Sequence, residues 1–180
     1  MVVCSMEMTK TSSIFASPFG PLVLATSRHG VTDCHWKDQR WISSARKLPQ
    51  GDCSEQGARV LQMAETQLHE YFSGLRHSFD LPLDLQQQGT IFQCSVWKAL
   101  QTIPYGTTQS YLDIAKAIDN PKAVRAVGSA NNKNPVSIIV PCHRVIGTNG
   151  AMKGYAGGVL VKEGLLGLEG WKPTNLGKAV

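Results

Sequence analysis

The feature that most constrains this chain is a nine-residue stretch, Ile138–Ile146, which reads Ile-Ile-Val-Pro-Cys-His-Arg-Val-Ile. Its first three residues are β-branched and apolar without alternation, which predicts a strand buried on both faces. Pro141 has no backbone N–H to donate to a sheet ladder, so regular pairing should stop there. Cys142 would then stand just past the end of a core strand, where a rigid scaffold can hold a reactive side chain.

His143 directly follows this cysteine and is a candidate base for it. Neighbouring side chains in an extended chain point to opposite faces, so the imidazole meets the Cys142 sulfur only if the chain bends or a water bridges them. A Cys-His pair taken alone more often contains an ordinary buried cysteine, because free cysteine is among the most buried residue types. The surrounding sequence must therefore decide between a reactive and a structural thiol.

The amino-acid composition and net charge favour a folded, basic protein that keeps its thiols reduced. A net charge of +5 favours a polyanionic partner such as nucleic acid, although many basic proteins bind none. A hydrophobic share of 42% and a charged share of 17% argue against a disordered chain. Five scattered cysteines match no disulfide framework, and their odd number leaves a free thiol, which indicates a reducing compartment. With no signal peptide at Met1–Lys10 and no membrane-length apolar run, we expect a cytoplasmic, nucleoid-associated protein; a nuclear location stays open.

The first half of the chain predicts a small sheet with one helix. Short apolar segments at Ser13–Ser17, Leu22–Thr26 and Val31–Trp36 are separated by turn residues, which indicates an antiparallel meander. Apolar residues at helical spacing then predict a helix that is capped by Asp52 and ends near Gly74.

A linker divides the chain after this helix. Alternating apolar and polar residues over Phe79–Leu85 predict a half-exposed strand, and Pro82 marks it as an edge strand. The glutamine-rich stretch Gln86–Gly89 follows. We therefore predict an N-terminal α/β support domain over residues 1–88 and a second domain over residues 89–180.

The second domain is predicted to be mostly helical. One apolar face over Phe92–Ile103 indicates a helix, and Ser110 is a cap for the next helix, Tyr111–Asp119. Asn120 is predicted to cap a third helix, with Pro121 at its first position. Two short helices joined by a tight turn, the second basic on its outer face, are typical of a helix-turn-helix, although a plain helical hairpin is commoner.

The C-terminal part adds a loop and a last helix. Met152–Gly158 is a glycine-rich loop of the kind that closes over a flat ligand, or a flexible surface loop. Lys162–Glu169 predicts a final helix, in which Gly164 and Gly167 each cost about 1 kcal/mol relative to alanine.

The longer context of the cysteine resembles the active-site signature of the O6-alkylguanine-DNA alkyltransferases. The residues that carry the resemblance are Pro-Cys-His-Arg-Val at 141–145, Asn134-Pro135 before it, and Gly147 and Tyr-Ala-Gly-Gly at 155–158 after it. The match is dense from about Thr90 to Gly170 and looser before. Members of this family are DNA-repair proteins that move an alkyl group from guanine onto their own cysteine.

The resemblance implies both a fold and a reaction. The fold is mixed α/β (α+β): an N-terminal ribonuclease H-like domain with a small antiparallel sheet, and a C-terminal, mostly helical winged-helix or helix-turn-helix domain that carries the active site. The reaction is an irreversible, single-turnover S-methyltransferase reaction on O6-alkylguanine, and also O4-methylthymine, in double-stranded DNA. It requires no cofactor, because the damaged DNA is the alkyl donor, and the damaged nucleotide must be flipped out of the stack.

The same resemblance assigns roles to individual residues. Cys142 is the alkyl acceptor, His143 takes its proton through a water, and Glu169 orients the histidine, as in hydrolase triads. Tyr111 assists the departing guanine, and Asn134 braces the active-site turn. From the residues alone, a solvated carboxylate at the end of a helix is the preferred interpretation of Glu169, and a core tyrosine is the alternative for Tyr111.

The resemblance also outlines the DNA contacts. Arg125 fills the space that the flipped nucleotide leaves, and its helix works from the minor groove. The other predicted DNA contacts are Tyr111, Lys122, Ala126, Gly128 and Ser129. The predicted alkylguanine pocket consists of Val145, Met152, Tyr155, Ala156, Gly157 and Gly158.

Some relatives hold a zinc ion in the N-terminal domain. Cys4, His29, Cys34 and Cys53 are available here, but their spacings match no recognised cluster, so we predict no metal. We expect a monomer; cooperative binding along DNA stays open.

Two other functions compete with alkyl transfer. A non-catalytic DNA-binding module that flags lesions is disfavoured because the cysteine is present. A cysteine hydrolase with the same Cys-His-Glu set is disfavoured by the basic helix-turn-helix.

Overall fold

A three-stranded antiparallel sheet opens the fold and confirms the predicted meander. A computed structural model describes the protein over residues 11–36, 54–86, 88–152 and 154–172. The strands are β1, β2 and β3, in this order across the sheet. They comprise Ser12–Ser17, Gly20–Ser27 and Gly30–Trp36.

One long helix, α1, covers this sheet and spans Glu55–Phe72. Its apolar residues recur at helical spacing, so one stripe is buried against the strands. The predicted cap is replaced: Ser54 is the N-cap, and its Oγ accepts a hydrogen bond from the Gly57 amide at 3.0 Å. Asp52 lies outside the described residues.

The edge strand predicted over Phe79–Leu85 is wrong. Only Leu83 forms a bridge there, a parallel one to Val31. The Val31 amide donates to the Pro82 carbonyl at 2.9 Å, and the Asp84 amide donates to the Val31 carbonyl at 3.0 Å. The alternation therefore reflected a half-buried segment that follows the sheet without pairing regularly, since proline interrupts any ladder.

Among the described residues of the second half are four α-helices and a short parallel pair of strands. The helices are α2, Ile91–Leu100; α3, Tyr111–Ala117; α4, Val124–Asn132; and α5, Val159–Leu168. The strands are β4, Gln109–Ser110, and β5, Val145–Ile146. Both α2 and α3 begin with complete capping boxes, and α3 packs against α4.

The start of α4 differs from the prediction. Its N-cap is Ala123, without a side-chain cap, while Asn120 and Pro121 lie in the turn before it. The Ala123 amide donates to the Asn120 carbonyl at 2.9 Å. This bond engages only the amide of the N-cap residue, so the helix begins without the side-chain cap that was predicted.

The last helix begins three residues earlier than predicted and ends at Leu168, with Glu169 as its C-cap. Close packing explains why residue 164 in this helix is a glycine. A Cβ on it would lie 2.3 Å from the Phe19 ring, so that ring, from the β1–β2 turn, fills the space above the helix.

The strand predicted at Ile138–Val140 is also wrong, although its burial is as expected. Ile138 has a φ of 72°, and the Ile139 amide donates to the Ser137 carbonyl at 2.9 Å, so the chain turns here. A positive φ on a β-branched residue is a strained conformation, costing about 1–3 kcal/mol. The turn is therefore held by its surroundings, and it leads into a 3-10 helix, Cys142–Arg144.

The N-terminal sheet contacts this turn directly. The Cys34 amide in β3 donates to the Pro135 carbonyl at 2.9 Å, and the Ser137 amide donates to the Cys34 carbonyl at 2.6 Å. The two halves share one apolar core. The sheet thus supports the segment that carries Cys142. No helix within the described segments is long and apolar enough to cross a membrane.

Candidate active site

Cys142 sits at the start of the 3-10 helix and is 2% exposed. Burial raises the pKa of its thiol, while the Asn134 side chain and the charge of Lys162 lower it; the net shift is upward. The resting thiol is therefore protonated at neutral pH, and a base is needed to make it a nucleophile.

Asn134 joins the two ends of the buried turn. Its Nδ2 donates to the Val140 carbonyl at 2.9 Å, and its Oδ1 accepts from the Val136 amide at 3.1 Å. A second asparagine, which the sequence did not single out, reaches the cysteine itself: Asn131 Nδ2 donates to the Cys142 carbonyl at 3.3 Å. Side-chain amides thus supply hydrogen bonds that a neighbouring strand would otherwise make.

His143 and Glu169 form a fully buried pair, with Nε2 and Oε1 2.8 Å apart. Burial raises the pKa of Glu169, but hydrogen bonds from His143 and Arg144 outweigh this effect and lower it to about 2. An ionised carboxylate only accepts hydrogen bonds, so Nε2 carries the hydrogen. The lone pair is then on Nδ1, which has no hydrogen-bond partner among the described residues.

The imidazole is ready to accept a proton. Burial lowers the pKa of His143, and the neighbouring Glu169 only partly reverses that effect. A neutral ring with a free Nδ1 lone pair results. Cys142 and His143 both lie in the 3-10 helix, so the chain between them is not extended.

Arg144 was not predicted as a site residue, yet it clamps the carboxylate. Its Nε donates to Glu169 Oε2 and its Nη2 to Oε1, both at 2.9 Å, while Nη1 donates to the Ile103 carbonyl at 2.6 Å. Arginine is almost never fully buried unless paired. An arginine inside an apolar run was thus a signal that a buried carboxylate lies nearby.

Lys162 is the second buried cation that the sequence reading missed. It is 0% exposed, and its Nζ donates to the Val145 carbonyl. Burial lowers the pKa of Lys162 to about 8, although attraction to the Cys142 sulfur opposes the shift. A positive charge is therefore held near the sulfur at neutral pH.

The predicted pocket residues are only partly brought together. Val145 and Tyr155 are buried, and the Tyr155 ring packs edge-on to His143 with centroids 6.5 Å apart. Met152 is half-buried, and Ala156 is exposed.

The N-terminal sheet holds the pocket loop through Trp36. Its Nε1 donates to the Tyr155 hydroxyl at 3.1 Å. A Cβ on Gly157 would lie 2.5 Å from the indole, so only glycine fits against it. Gly158, with a φ of 91°, ends the loop and is the N-cap of α5.

The helix-turn-helix places Tyr111 beside Gly128: a Cβ there would lie 3.8 Å from the phenol ring. Burial and the nearby Cys142 sulfur raise the pKa of Tyr111, so its hydroxyl stays protonated. The exposed face of α4 and of the turn before it carries the remaining predicted DNA contacts. These are Lys122, Arg125, Ala126 and Ser129.

The zinc prediction stays untested. Cys4 and Cys53 lie outside the described residues, Cys34 is buried in the sheet, and His29 is exposed. Within the described segments, no three His, Cys, Asp or Glu residues come together as a metal site.

Comparisons with known proteins agree with the predicted family. A model described as "6-O-methylguanine DNA methyltransferase, ribonuclease-like domain" matches residues 11–85, and one described as "6-O-methylguanine DNA methyltransferase, DNA binding domain" matches residues 91–171. A methylated-DNA–protein-cysteine methyltransferase of Methanosarcina acetivorans is 49% identical over 88% of this chain and 97% of its own. The constitutive one of Bacillus subtilis is 45% identical over 85% of this chain and 91% of its own.

Solved structures confirm the predicted mixed α/β fold. The crystal structure of Mycobacterium tuberculosis OGT in complex with DNA matches with a TM-score of 0.73 and 45% identity, covering 87% of this chain and 90% of that one. Because the matching models cover most of the chain and the relatives match nearly end to end, this chain belongs to the methylated-DNA–protein-cysteine methyltransferase family, the O6-alkylguanine-DNA alkyltransferases.

Proposed function

We propose that this protein repairs DNA by moving the methyl group of O6-methylguanine to the sulfur of Cys142, once per molecule and irreversibly. Other small O6-alkyl groups and O4-methylthymine belong to the proposed substrate class. The observation that carries the proposal is the buried His143–Glu169 pair directly beside this cysteine, in a chain whose relatives bear the name of that activity.

The proposed chemistry starts with the protonated thiol. His143 Nδ1 takes the thiol proton through a water, and Glu169 stabilises the resulting imidazolium. The Cys142 sulfur then forms a bond to the methyl carbon as the bond from this carbon to guanine O6 breaks. The bonding electrons go to O6, and Tyr111 supplies a hydrogen bond to the departing guanine anion. The anion takes up one proton from solvent to become guanine, and the imidazolium releases the thiol proton to solvent. The product is a thioether, which has no internal nucleophile to release it.

Access to the sulfur requires movement of both partners. A thiol that is 2% exposed cannot meet a stacked base, so the damaged nucleotide must rotate out of the duplex, and the loop at Tyr155–Gly158 must admit it. In the proposal, Arg125 occupies the space left in the stack. Lys122 contacts the DNA backbone, and the small residues Ala126, Gly128 and Ser129 let α4 approach the DNA closely.

The proposal also covers the assembly and the division of labour. Residues 89–180 would bind DNA and accept the alkyl group, and residues 1–88 would support them. The partner is double-stranded DNA containing O6-alkylguanine, the acting species is a monomer, and the place of action is the cytoplasm beside the chromosome.

A mass measurement tests the proposal. Duplex DNA with O6-methylguanine should add one methyl mass to the peptide that contains Cys142. The Cys142→Ala variant should lose transfer but still bind DNA, while Cys94→Ala, which removes a half-buried thiol from α2, should react like the parent. A methyl group on another residue, or repeated turnover, would overturn the proposal. DNA binding without any transfer would favour the lesion-flagging module instead.

A further inference from the structure

We propose that Tyr71 is a positioning residue for the proton relay, supplied by the N-terminal half of the chain. Its hydroxyl donates to Glu169 Oε1 at 2.7 Å, the same oxygen that faces His143 Nε2 at 2.8 Å. Tyr71 lies in the last turn of α1 and is 0% exposed. The inference rests on the proposed transfer to Cys142 and adds a role that this mechanism does not use.

The hydroxyl of Tyr71 is a permanent donor. Burial, followed by the charge on Glu169, raises its pKa far above its ordinary value, so the phenol does not ionise in the working pH range. Its ring is fixed by three aromatic neighbours, with centroids 5.3 Å from Phe72, 5.4 Å from Phe79 and 6.2 Å from Tyr105. The ring contacts therefore hold the phenol oxygen at hydrogen-bond distance from the carboxylate.

The carboxylate stays in place without this hydroxyl. Arg144 binds both of its oxygens, and the Gly106 amide donates to Oε2 at 3.1 Å. Removing the Tyr71 O–H thus removes one donor from Oε1 and leaves the clamp intact. The substitution therefore changes the electron density on Oε1 and leaves the His143–Glu169 pair in place.

The sign of the effect follows from the competition at Oε1. Each donor to this oxygen draws electron density away from it and weakens its interaction with His143. Without the Tyr71 donor, Glu169 holds the imidazolium more strongly, and the pKa of His143 rises. The imidazole is then already protonated at mildly acidic pH and cannot take the thiol proton. Tyr71 therefore keeps the relay active toward lower pH.

The test is the pH dependence of the single-turnover transfer rate in Tyr71→Phe, which keeps the ring and removes one oxygen. The acid limb of the profile should move upward by about half a unit to one unit, a three- to tenfold loss of rate below the limb, with the plateau and one methyl per protein retained. Tyr105→Phe is the matched control. Its hydroxyl donates to the Leu168 carbonyl at 3.1 Å, next to Glu169 but not on it, so the limb should not move.

A second variant keeps the phenol. The more acidic 3-fluorotyrosine at position 71 is a stronger donor, so it should move the limb downward, and it serves if the phenylalanine variant does not fold. NMR titration of the His143 ring provides the same pKa without any substrate.

The outcomes separate this inference from the proposed function. An unchanged limb in Tyr71→Phe, a limb shifted downward, or a uniform loss of rate at every pH would overturn the role of Tyr71. Absence of methyl on Cys142 in the parent protein would instead overturn the proposed function, and the His143 titration would still decide the coupling to Tyr71.

Discussion

Replacing Glu169 with glutamine should remove a pH-dependent part of the stability. The carboxyl has a pKa of 4.5 in its ordinary state and about 2 in the fold, where His143 and Arg144 hold it ionised. A carboxyl whose pKa is lower in the folded than in the unfolded state stabilises the fold at pH values above its unfolded pKa. This contribution is lost as the pH falls toward the folded pKa. The shift corresponds to about 3 kcal/mol.

Urea denaturation from neutral pH down to about pH 2 measures this contribution. Glu169→Gln should be less stable by about 3 kcal/mol at pH 7, and the difference from the parent should shrink as the pH falls from about 5 to about 2. Glu163→Gln is the matched control, because Glu163 is an exposed carboxylate on α5, the helix that Glu169 caps. A Glu169→Gln variant with the parent's stability at pH 7, or with an undiminished difference at low pH, would refute the assignment of Glu169 as a buried, ionised anchor.

Two further perturbations test the surroundings of the sulfur and the pocket loop. Lys162→Met removes a buried charge that lowers the pKa of Cys142, so this thiol should react with iodoacetamide only at higher pH than in the parent; the same pH dependence in both proteins would contradict the assignment. Gly157→Ala places a methyl group 2.5 Å from the Trp36 indole and should destabilise the fold by about 1–3 kcal/mol in urea denaturation, since overpacking forces a shift; unchanged stability would show that the loop does not rest on Trp36.

Local features were predictable because their interactions span only a few residues. The Ser110 cap of α3 exchanges hydrogen bonds with Asp113, three positions away, and both partners are visible in the sequence. The strands β1 to β3 were predicted because short apolar runs between turn residues have few other ways to fold. The signature around Cys142 was equally local, and it identified the family.

The active-site turn, by contrast, required the tertiary structure. Three β-branched and apolar residues predict a strand, yet Ile138 adopts a positive φ. The hydrogen bonds that hold this turn come from the Asn134 side chain and from Cys34 in the N-terminal sheet. The pattern of apolar and polar residues along the sequence does not reveal these partners, because they meet only after the two halves have packed.

The sequence by itself determined the family, and it predicted the strands β1 to β3 and most of the helical segments, since each depends on neighbours along the chain; it also predicts Cys142 as the nucleophile. Only the tertiary structure decided how Glu169 is held. Its carboxylate collects donors from Tyr71, Gly106, His143 and Arg144, which are up to 98 positions away. A buried charge must find its partners wherever the fold brings them, so the pattern along the chain does not specify which residues they are.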